Sequence, residues 1–266
     1  MKLLVLSFYY EPDLSAGSFR ATSLVKALAD RIGPSDEIMV VTTKPNRYQS
    51  FQPDVPDIER LGRITLHRIM LPRHQSGMAD QSRAFWVFQR EARRLVRGQR
   101  FAVVFATSSR LMTAVLGSWI ARRLGAPLYL DIRDIFADTI KDVLPGVAGR
   151  VARVAFSALE GFAVRRASIV NLVSRGFAPY FHARYPRQEF AYFTNGIDDE
   201  FLDSGVFSLT TSGRAVPHVL YAGNLGEGQG LHEIIPRLAQ LLRGRARFTI
   251  IGDGGRREAL VKSRRR

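Results

Sequence analysis

The feature of the sequence that most limits its fold is a regular alternation of short apolar runs and longer segments with helical periodicity. The runs are rich in β-branched and aromatic residues, and they predict strands at Leu3–Phe8, Ile38–Thr43, Ile64–Met70, Ala102–Ala106, Leu128–Ile132, Ile169–Val173, Phe190–Phe193, Val219–Ala222 and Phe248–Ile251. Helical patterns lie at about 18–31, 83–97, 110–123, 147–166, 175–184, 231–243 and 255–263. Such alternation favours an α/β fold with parallel sheets covered by helices on both faces.

One segment interrupts this alternation. Residues 198–217 are acidic, rich in Ser, Thr and Gly, and show no periodicity. We predict a linker there, between a complete α/β domain over residues 1–197 and a second unit over residues 218–266. The second unit holds only two predicted strands and two helices, which leaves a sheet edge unpaired and a helix layer unfinished. We therefore expect it to be an incomplete domain or to pack on something else.

Composition excludes several classes of protein. The chain has 266 residues, 46% of them hydrophobic, and no cysteine. This is too apolar for a disordered chain, and without cysteine a disulfide scaffold or a Cys-based metal or redox site is impossible. The five histidines have no partners at ligand spacing, so we predict no metal site. The N-terminus lacks a cleavage site, and no run reaches the ~20 apolar residues of a spanning helix. We expect a soluble or peripheral protein in a reducing compartment.

Glycine-rich loops follow three of the predicted strands. In an open α/β sheet, small residues at a strand's carboxyl end let a phosphate approach the N–H groups of the next helix. The loop around Gly17 has this form, although an ordinary turn glycine explains it equally well, and it lacks the GxGxxG motif of nicotinamide and flavin enzymes. Glycine-rich loops also follow the last two predicted strands, and two such neighbouring loops predict a phosphate site better than either loop does singly. Their candidate ligands are Gly223, Asn224, Gln229, Gly252 and Gly254.

Charged residues end another predicted strand, in the segment YLDIRDIFAD. Its Asp131, Arg133 and Asp134 are typical of a cleft, where Arg133 can hold a carboxylate or phosphate and Asp134 can orient a hydroxyl. The alternative is an Asp–Arg pair that closes the strand end. The sequence has neither a nucleophile elbow nor a Walker motif.

Taken in chain order, these motifs resemble a known family. The Gly17 loop and the segments DIRDIF, NGIDDEF, GNLGEGQGL and IIGDGG are similar to family-four glycosyltransferases of the GT-B fold, which are retaining enzymes with nucleotide-sugar donors. The sequences of these motifs look most like those of bacterial O-antigen or capsule transferases of the fucosamine-transferase kind. The resemblance implies two Rossmann-like domains, the second incomplete here, with the acceptor mainly on the N-terminal side and the donor mainly on the C-terminal side.

The resemblance also implies ligands and a location. The donor is expected to be a nucleotide-sugar, UDP-linked, and the acceptor a lipid-linked glycan in cell-surface polysaccharide synthesis. No cofactor or metal is expected. The protein is expected in the cytoplasm, at the inner face of the plasma membrane.

Individual residues match or depart from the family's motifs. Gly17 falls near the donor phosphate and sugar, and Arg133 and Asp134 fall where many members have a His–Asp pair. Asn224 and Gln229 fall where many members have an Arg and a Lys at the diphosphate. Amides bring no charge, so we expect weaker phosphate binding there unless another cation helps. No residue is nominated as a catalytic base.

The end of the sequence departs further from the family. In the family the donor domain continues beyond IIGDGG to a paired-glutamate motif, whereas this sequence ends at KSRRR. We therefore expect a truncated donor domain. A non-catalytic remnant or subunit, which keeps the acceptor-side and membrane-binding domain, is the alternative to an active transferase.

The formal net charge of +15 is concentrated in two segments. Residues 83–123 carry nine basic and one acidic side chain, and residues 243–266 carry nine and two. On a helical wheel, the arginines of 83–97 share one face with a tryptophan, which is typical of a helix on anionic lipid. The alternative is a surface helix with solvated arginines. The membrane-facing candidates are Trp86, Arg90, Arg93, Arg94 and Arg97. No nucleic-acid-binding motif accompanies the charge, so we expect no nucleic-acid partner.

Overall fold

The computed structural model describes residues 1–48, 51–72, 78–136, 146–197, 202 and 216–263. The chain divides into two compact units, residues 1–196 and residues 197–266. Apart from Leu202, Val216 and Pro217, the predicted linker lies outside the described residues, and so does the end of the basic tail.

The first unit is built on an eight-stranded sheet. Its strands are β1 (Lys2–Leu6), β2 (Glu37–Thr43), β3 (Ile58–Leu61), β4 (Ile64–Ile69), β5 (Val103–Thr107), β6 (Leu128–Ile132), β7 (Ile169–Leu172) and β8 (Phe190–Ala191). Their spatial order is β3-β4-β2-β1-β5-β6-β7-β8, and every pair is parallel except β3 with β4. This confirms the predicted α/β fold with a parallel sheet. Strand β3 was not predicted, because it is an edge strand with three exposed residues and no apolar run.

Helices cover both faces of this sheet. They are α1 (Ala16–Ala29), α2 (Met78–Leu95), α3 (Leu111–Leu124), α4 (Gly146–Val164) and α5 (Ala178–Arg184), with a 3-10 turn at Arg175–Phe177. Successive strand residues enter different cores, as the period of two requires. Leu4 and Leu6 pack with Phe88 of α2 and Ile120 of α3, whereas Val5 packs on the opposite face with α1. Among the described residues, no helix combines the length and apolar character needed to cross a membrane.

The second unit is much smaller. It contains the parallel pair β9 (His218–Ala222) and β10 (Arg247–Ile251), the helices α6 (Leu231–Leu241) and α7 (Arg257–Ser263), and a 3-10 turn at Glu227–Gln229. No residue of α6 or α7 is buried. In the described part of this unit, Leu225 is the one fully buried residue. The apolar core of the second unit is therefore thin.

This difference predicts unequal local stability. Because few apolar contacts hold the second unit, we expect the amides of β9 and β10 to exchange with solvent about a hundredfold faster than those of β1 and β5, equivalent to roughly 3 kcal/mol. Hydrogen-exchange mass spectrometry of the whole chain measures both sets at once. Equal protection in the two sheets would show that the second unit is stabilised by something other than its own core.

Candidate functional site

Buried polar residues gather where the central strands of the first unit end. Ser7 follows β1, Ser108 follows β5, Asp131 lies in β6 and Asn171 in β7, and none of the four is more than 1% exposed. A buried polar side chain costs free energy unless it is hydrogen-bonded. Strands of a parallel sheet bring their carboxyl ends to one edge, so these residues form one polar edge, which we call the carboxyl edge.

A charged network lies at this edge. Arg20 of α1 donates two hydrogen bonds to the Asp131 carboxylate, from Nε to Oδ2 at 3.0 Å and from Nη2 to Oδ1 at 2.9 Å. The same guanidinium donates to the carbonyl oxygens of Phe193 and Thr194, at 2.8 and 2.7 Å. Asn171 donates to Asp131 Oδ1 at 2.7 Å and accepts from the Phe193 N–H at 2.7 Å. The network ties α1 to β6, β7 and the segment that leaves β8.

This network corrects the sequence-based interpretation of DIRD. An Asp–Arg pair does close the end of β6, but the partner of Asp131 is Arg20, 111 residues earlier, and not Arg133. Arg20 and Asn171 were both missed. The sequence did hold one indication that Arg20 lies near the candidate site. Arg20 follows Gly17 by three residues and therefore shares its helix face.

Arg133 and Asp134 lie at the same edge and keep unused polar groups. The backbone N–H of Arg133 donates to Ser108 Oγ at 2.9 Å. Its Nη1 is buried and has no hydrogen-bond partner among the described residues, and burial lowers the pKa of the guanidinium. Asp134 is exposed; partial desolvation raises the pKa of its carboxyl, and Arg133 opposes the rise. An unpaired guanidinium N–H at a strand end is suited to hold an anion.

Gly17 lies in the first turn of α1, where Ser15 caps the helix by accepting the Ser18 N–H at 3.1 Å. It lies inside α1 and its φ is not left-handed, so no turn conformation requires glycine at this position. A Cβ there would lie 3.2 Å from Ser109 Cβ and 3.7 Å from Tyr9 Cδ2. Glycine therefore allows the start of α1 to approach the loop between β5 and α3.

The buried carboxylate of Asp13 binds backbone N–H groups and so stabilises the loop that leads to Gly17. Asp13 is 2% exposed, and its Oδ2 accepts the N–H groups of Asn46 and Arg47 at 2.9 and 3.3 Å. Its Oδ1 has no hydrogen-bond partner in the part of the chain that the structure describes. Burial raises the pKa of Asp13, and the two N–H groups and the charges of Arg47 and Arg110 oppose the rise.

This raised pKa predicts a pH-dependent stability. Because the folded-state pKa lies above the unfolded value, the contribution of Asp13 to stability is full below about pH 4 and is lost as pH rises through the folded-state pKa. Asparagine does not titrate, so the free energy of unfolding of wild type should fall relative to D13N as pH rises from about 3 to 7. Urea unfolding at a series of pH values measures this, with D30N at an exposed position as control. A constant difference between wild type and D13N would contradict the prediction.

The two glycine-rich loops of the second unit lie against each other. The N–H of Gly223 donates to Ile251 O at 2.9 Å, and the N–H of Leu225 donates to Asp253 O at 2.8 Å. A Cβ on Gly252 would overlap the Gly223 carbonyl oxygen, and one on Gly254 would lie 2.7 Å from Leu225 O. Glycine is therefore required at both positions for the loops to meet.

The two predicted diphosphate amides bind each other. Asn224 Nδ2 donates to Gln229 Oε1 at 2.9 Å, and the same oxygen accepts the Gly226 N–H at 3.1 Å. Tyr221 Oη donates to Asn224 O at 2.8 Å, which fixes the backbone of the loop to the end of β9. The Gln229 carbonyl is thus fully used, which leaves its Nε2 as a neutral donor.

The predicted site residues form two groups. Gly17, Arg133 and Asp134 share the carboxyl edge of the first unit, whereas Gly223, Asn224, Gln229, Gly252 and Gly254 share the loops of the second. The described residues contain no group of three or more potential metal ligands.

The doubly wound parallel sheet, followed by a second parallel βα unit with glycine-rich loops at its strand ends, agrees with the GT-B glycosyltransferase fold that the resemblance implies. Residues 17–196 match the glycosyl transferase 4-like domain, and the chain belongs to this family.

Solved structures support the fold. Anabaena HepE in complex with UDP and glucose is 16% identical, with a TM-score of 0.60 over 100% of this chain and 65% of that one. HepE in complex with UDP-glucose is 13% identical, with a TM-score of 0.54 over 94% of this chain and 69% of that one. The chain therefore spans 65% of the length of the first of these structures. No curated protein matches the sequence.

Proposed function

We propose that the protein acts as a retaining glycosyltransferase that moves a sugar from a nucleotide-sugar, UDP-linked, to a lipid-linked glycan. The family match over residues 17–196 carries this proposal. The HepE structures, which hold UDP or UDP-glucose, support a UDP-linked donor. The segments DIRD and GNLGEGQGL support a role in O-antigen or capsule assembly and a fucosamine-type sugar.

The donor diphosphate is assigned to the loops after β9 and β10. The N–H groups of Gly223, Leu225 and Gly226 are bound within the loops and hold them in shape, and Gln229 Nε2 is the donor proposed to reach the diphosphate. Neutral donors are weaker ligands of a diphosphate than cations. Arg133, with its unpaired Nη1, is proposed to bind an anionic group at the carboxyl edge of the first unit. In this proposal the protein contributes positioning and electrostatic stabilisation of the leaving group.

Calorimetric titration with UDP- and GDP-sugars tests the donor assignment. We expect one UDP-sugar to bind. Q229M should weaken its binding about fivefold, because methionine lacks the Nε2 donor and also the oxygen that accepts from Asn224 and Gly226. Q240M, at an exposed position of α6, is the matched control. Binding with no transfer to any lipid-linked acceptor would favour the non-catalytic alternative. If the folded chain binds no donor, the proposal fails.

The acceptor is proposed to be reached at a membrane. The four arginines predicted to face lipid, in α2 and just after it, are exposed, and Trp86 is 54% exposed among them. Exposed arginines with an interfacial tryptophan favour docking on an anionic bilayer. We propose a peripheral location at the inner face of the plasma membrane, with no metal or cofactor in the reaction.

A further inference from the structure

A groove separates α2 and α3 on the outside of the first unit. It has a volume of about 680 Å³ and is lined by Trp86 and Trp119, by Arg123 of α3, by three arginines of α2 and by the arginine just after it, namely Arg90, Arg93, Arg94 and Arg97. The helical pattern of α2 did not reveal it, because a third of the lining residues come from α3. We call it the arginine groove.

Two cations converge on one aromatic ring in this groove. The guanidinium of Arg93 lies 4.1 Å from the centroid of the half-buried Trp119 ring, and that of Arg123 lies 6.0 Å from the same centroid. Cation–π contact holds each guanidinium in place, but it also brings two like charges together. An anion between them would relieve the repulsion.

Acidic side chains do not supply that anion. Glu91 lies 3.9 Å from Arg90 and 3.7 Å from Arg94. Within the described chain, Arg93, Arg97 and Arg123 have no ion-pair partner. The groove thus carries an excess of positive charge.

Helix capping explains part of this charge, but not its arrangement. Cations in the last turn complement the helix dipole, and α2 and α3 each have two arginines there. That accounts for Arg93 and Arg123, yet not for Arg90, which lies 5.6 Å from the Trp86 ring centroid one turn earlier. Stacking on tryptophan is not needed to complement a dipole.

The groove is remote from the candidate transfer site. Helices α2 and α3 end just before β5 and β6 begin, so their C-terminal halves lie toward the amino ends of these strands. The carboxyl edge lies at the other end of the five-residue strand β5, about 16 Å away at 3.3 Å per residue. A ligand in the groove is therefore separate from the carboxyl edge of the first unit.

We propose that the arginine groove binds the phosphate headgroup of an anionic phospholipid and holds the first unit on the bilayer. A planar guanidinium group can bind two oxygens of one phosphate at the same time. Arg93 and Arg123, which lie against the same tryptophan ring, are therefore suited to bind a single phosphate. The exposed Trp86 ring beside them has the amphipathic character of side chains at a lipid interface. This inference deepens the membrane docking proposed above and rests on it.

Both tryptophans of the chain line the groove. The tryptophan fluorescence of the protein therefore reports on the groove alone. We expect vesicles of phosphatidylcholine with phosphatidylglycerol to shift the emission to the blue in a saturable way, and vesicles of phosphatidylcholine alone to leave it unchanged. The measurement needs neither donor nor transfer, so its outcome is independent of catalysis.

A charge-conserving variant tests the groove itself. R93K/R123K keeps both charges but loses the planar, stacked groups, and we expect its affinity for the anionic vesicles to fall about tenfold. R150K/R187K, at exposed positions outside the groove, should bind like wild type. An unchanged urea midpoint confirms that R93K/R123K is folded.

Four results would overturn the inference. If wild type does not bind anionic vesicles, both the proposed membrane docking and the proposed headgroup site are wrong. If R93K/R123K binds like wild type, docking stands and the headgroup site is wrong. A full emission shift with soluble glycerol 3-phosphate but none with vesicles would identify a free phosphate as the ligand. RNA binding that is tighter than vesicle binding, and is lost in R93K/R123K, would identify a nucleic acid.

Discussion

R20M is expected to lower the free energy of unfolding by about 3 kcal/mol. Its physical basis is the burial of Asp131, which is 1% exposed and receives two of its hydrogen bonds from Arg20. Methionine fills a similar volume but leaves the carboxylate without its cation. An uncompensated buried charge is far more costly than a missing surface ion pair.

A second variant separates the charge from the packing. In R20M/D131N, the asparagine oxygen can still accept from Asn171, and no unpaired charge remains. We expect the double variant to be more stable than R20M alone, so the two substitutions should be strongly non-additive. R31M is the matched control, because Arg31 is exposed at the other end of α1 and donates to Ala27 O. Its effect should stay below about 0.5 kcal/mol.

Urea unfolding of R20M, D131N, R20M/D131N, R31M and wild type measures these differences. The network also holds the carbonyl groups of Phe193 and Thr194, just before the chain enters the second unit. R20M should therefore raise the amide exchange of Phe193, whose N–H is bound by Asn171. Stability equal to that of R31M would show that Asp131 does not depend on Arg20.

Local sequence patterns were sufficient for most of the fold. Leu128–Ile132 was predicted at its observed bounds, because a buried parallel strand is a continuous apolar run between helices. β3 was missed for the opposite reason, since an edge strand buries little and needs no apolar run. α2 begins at Met78 and not at residue 83, because its first turns are polar and give no hydrophobic period.

The candidate site was less predictable, because its contacts are long-range. Nothing near Asp131 in the sequence indicates that its cation is Arg20, and the stacking of Arg93 on Trp119 joins two helices. Asn224 and Gln229 were found as neighbours in a loop, but a sequence cannot show that they hydrogen-bond to each other. Motifs locate such residues, whereas packing decides which of their polar groups remain free.

G252A is expected to weaken donor binding by the proposed diphosphate site at least about tenfold. A methyl group at Gly252 would overlap the carbonyl oxygen of Gly223, which is backbone and cannot rotate away. The loops after β9 and β10 would have to separate. This would break the hydrogen bonds from Gly223 N–H to Ile251 O and from Leu225 N–H to Asp253 O.

Two other glycines of the same region provide matched controls. A Cβ on Gly228 or Gly255 would meet no atom within 4 Å, and neither residue has a left-handed φ. G228A and G255A should therefore bind a UDP-sugar like wild type. They also test whether the region tolerates added methyl groups in general.

The structural part of this prediction can be measured without any donor. In G252A, the amides of Gly223 and Leu225 should lose their hydrogen-exchange protection, while those of β1 and β5 in the first unit keep theirs. Calorimetric titration with the donor that wild type binds then gives the affinity. If G252A keeps both amide protection and donor affinity, the close approach of the two loops is not what forms the diphosphate site. Loss of protection with unchanged affinity would assign the diphosphate to residues outside these loops.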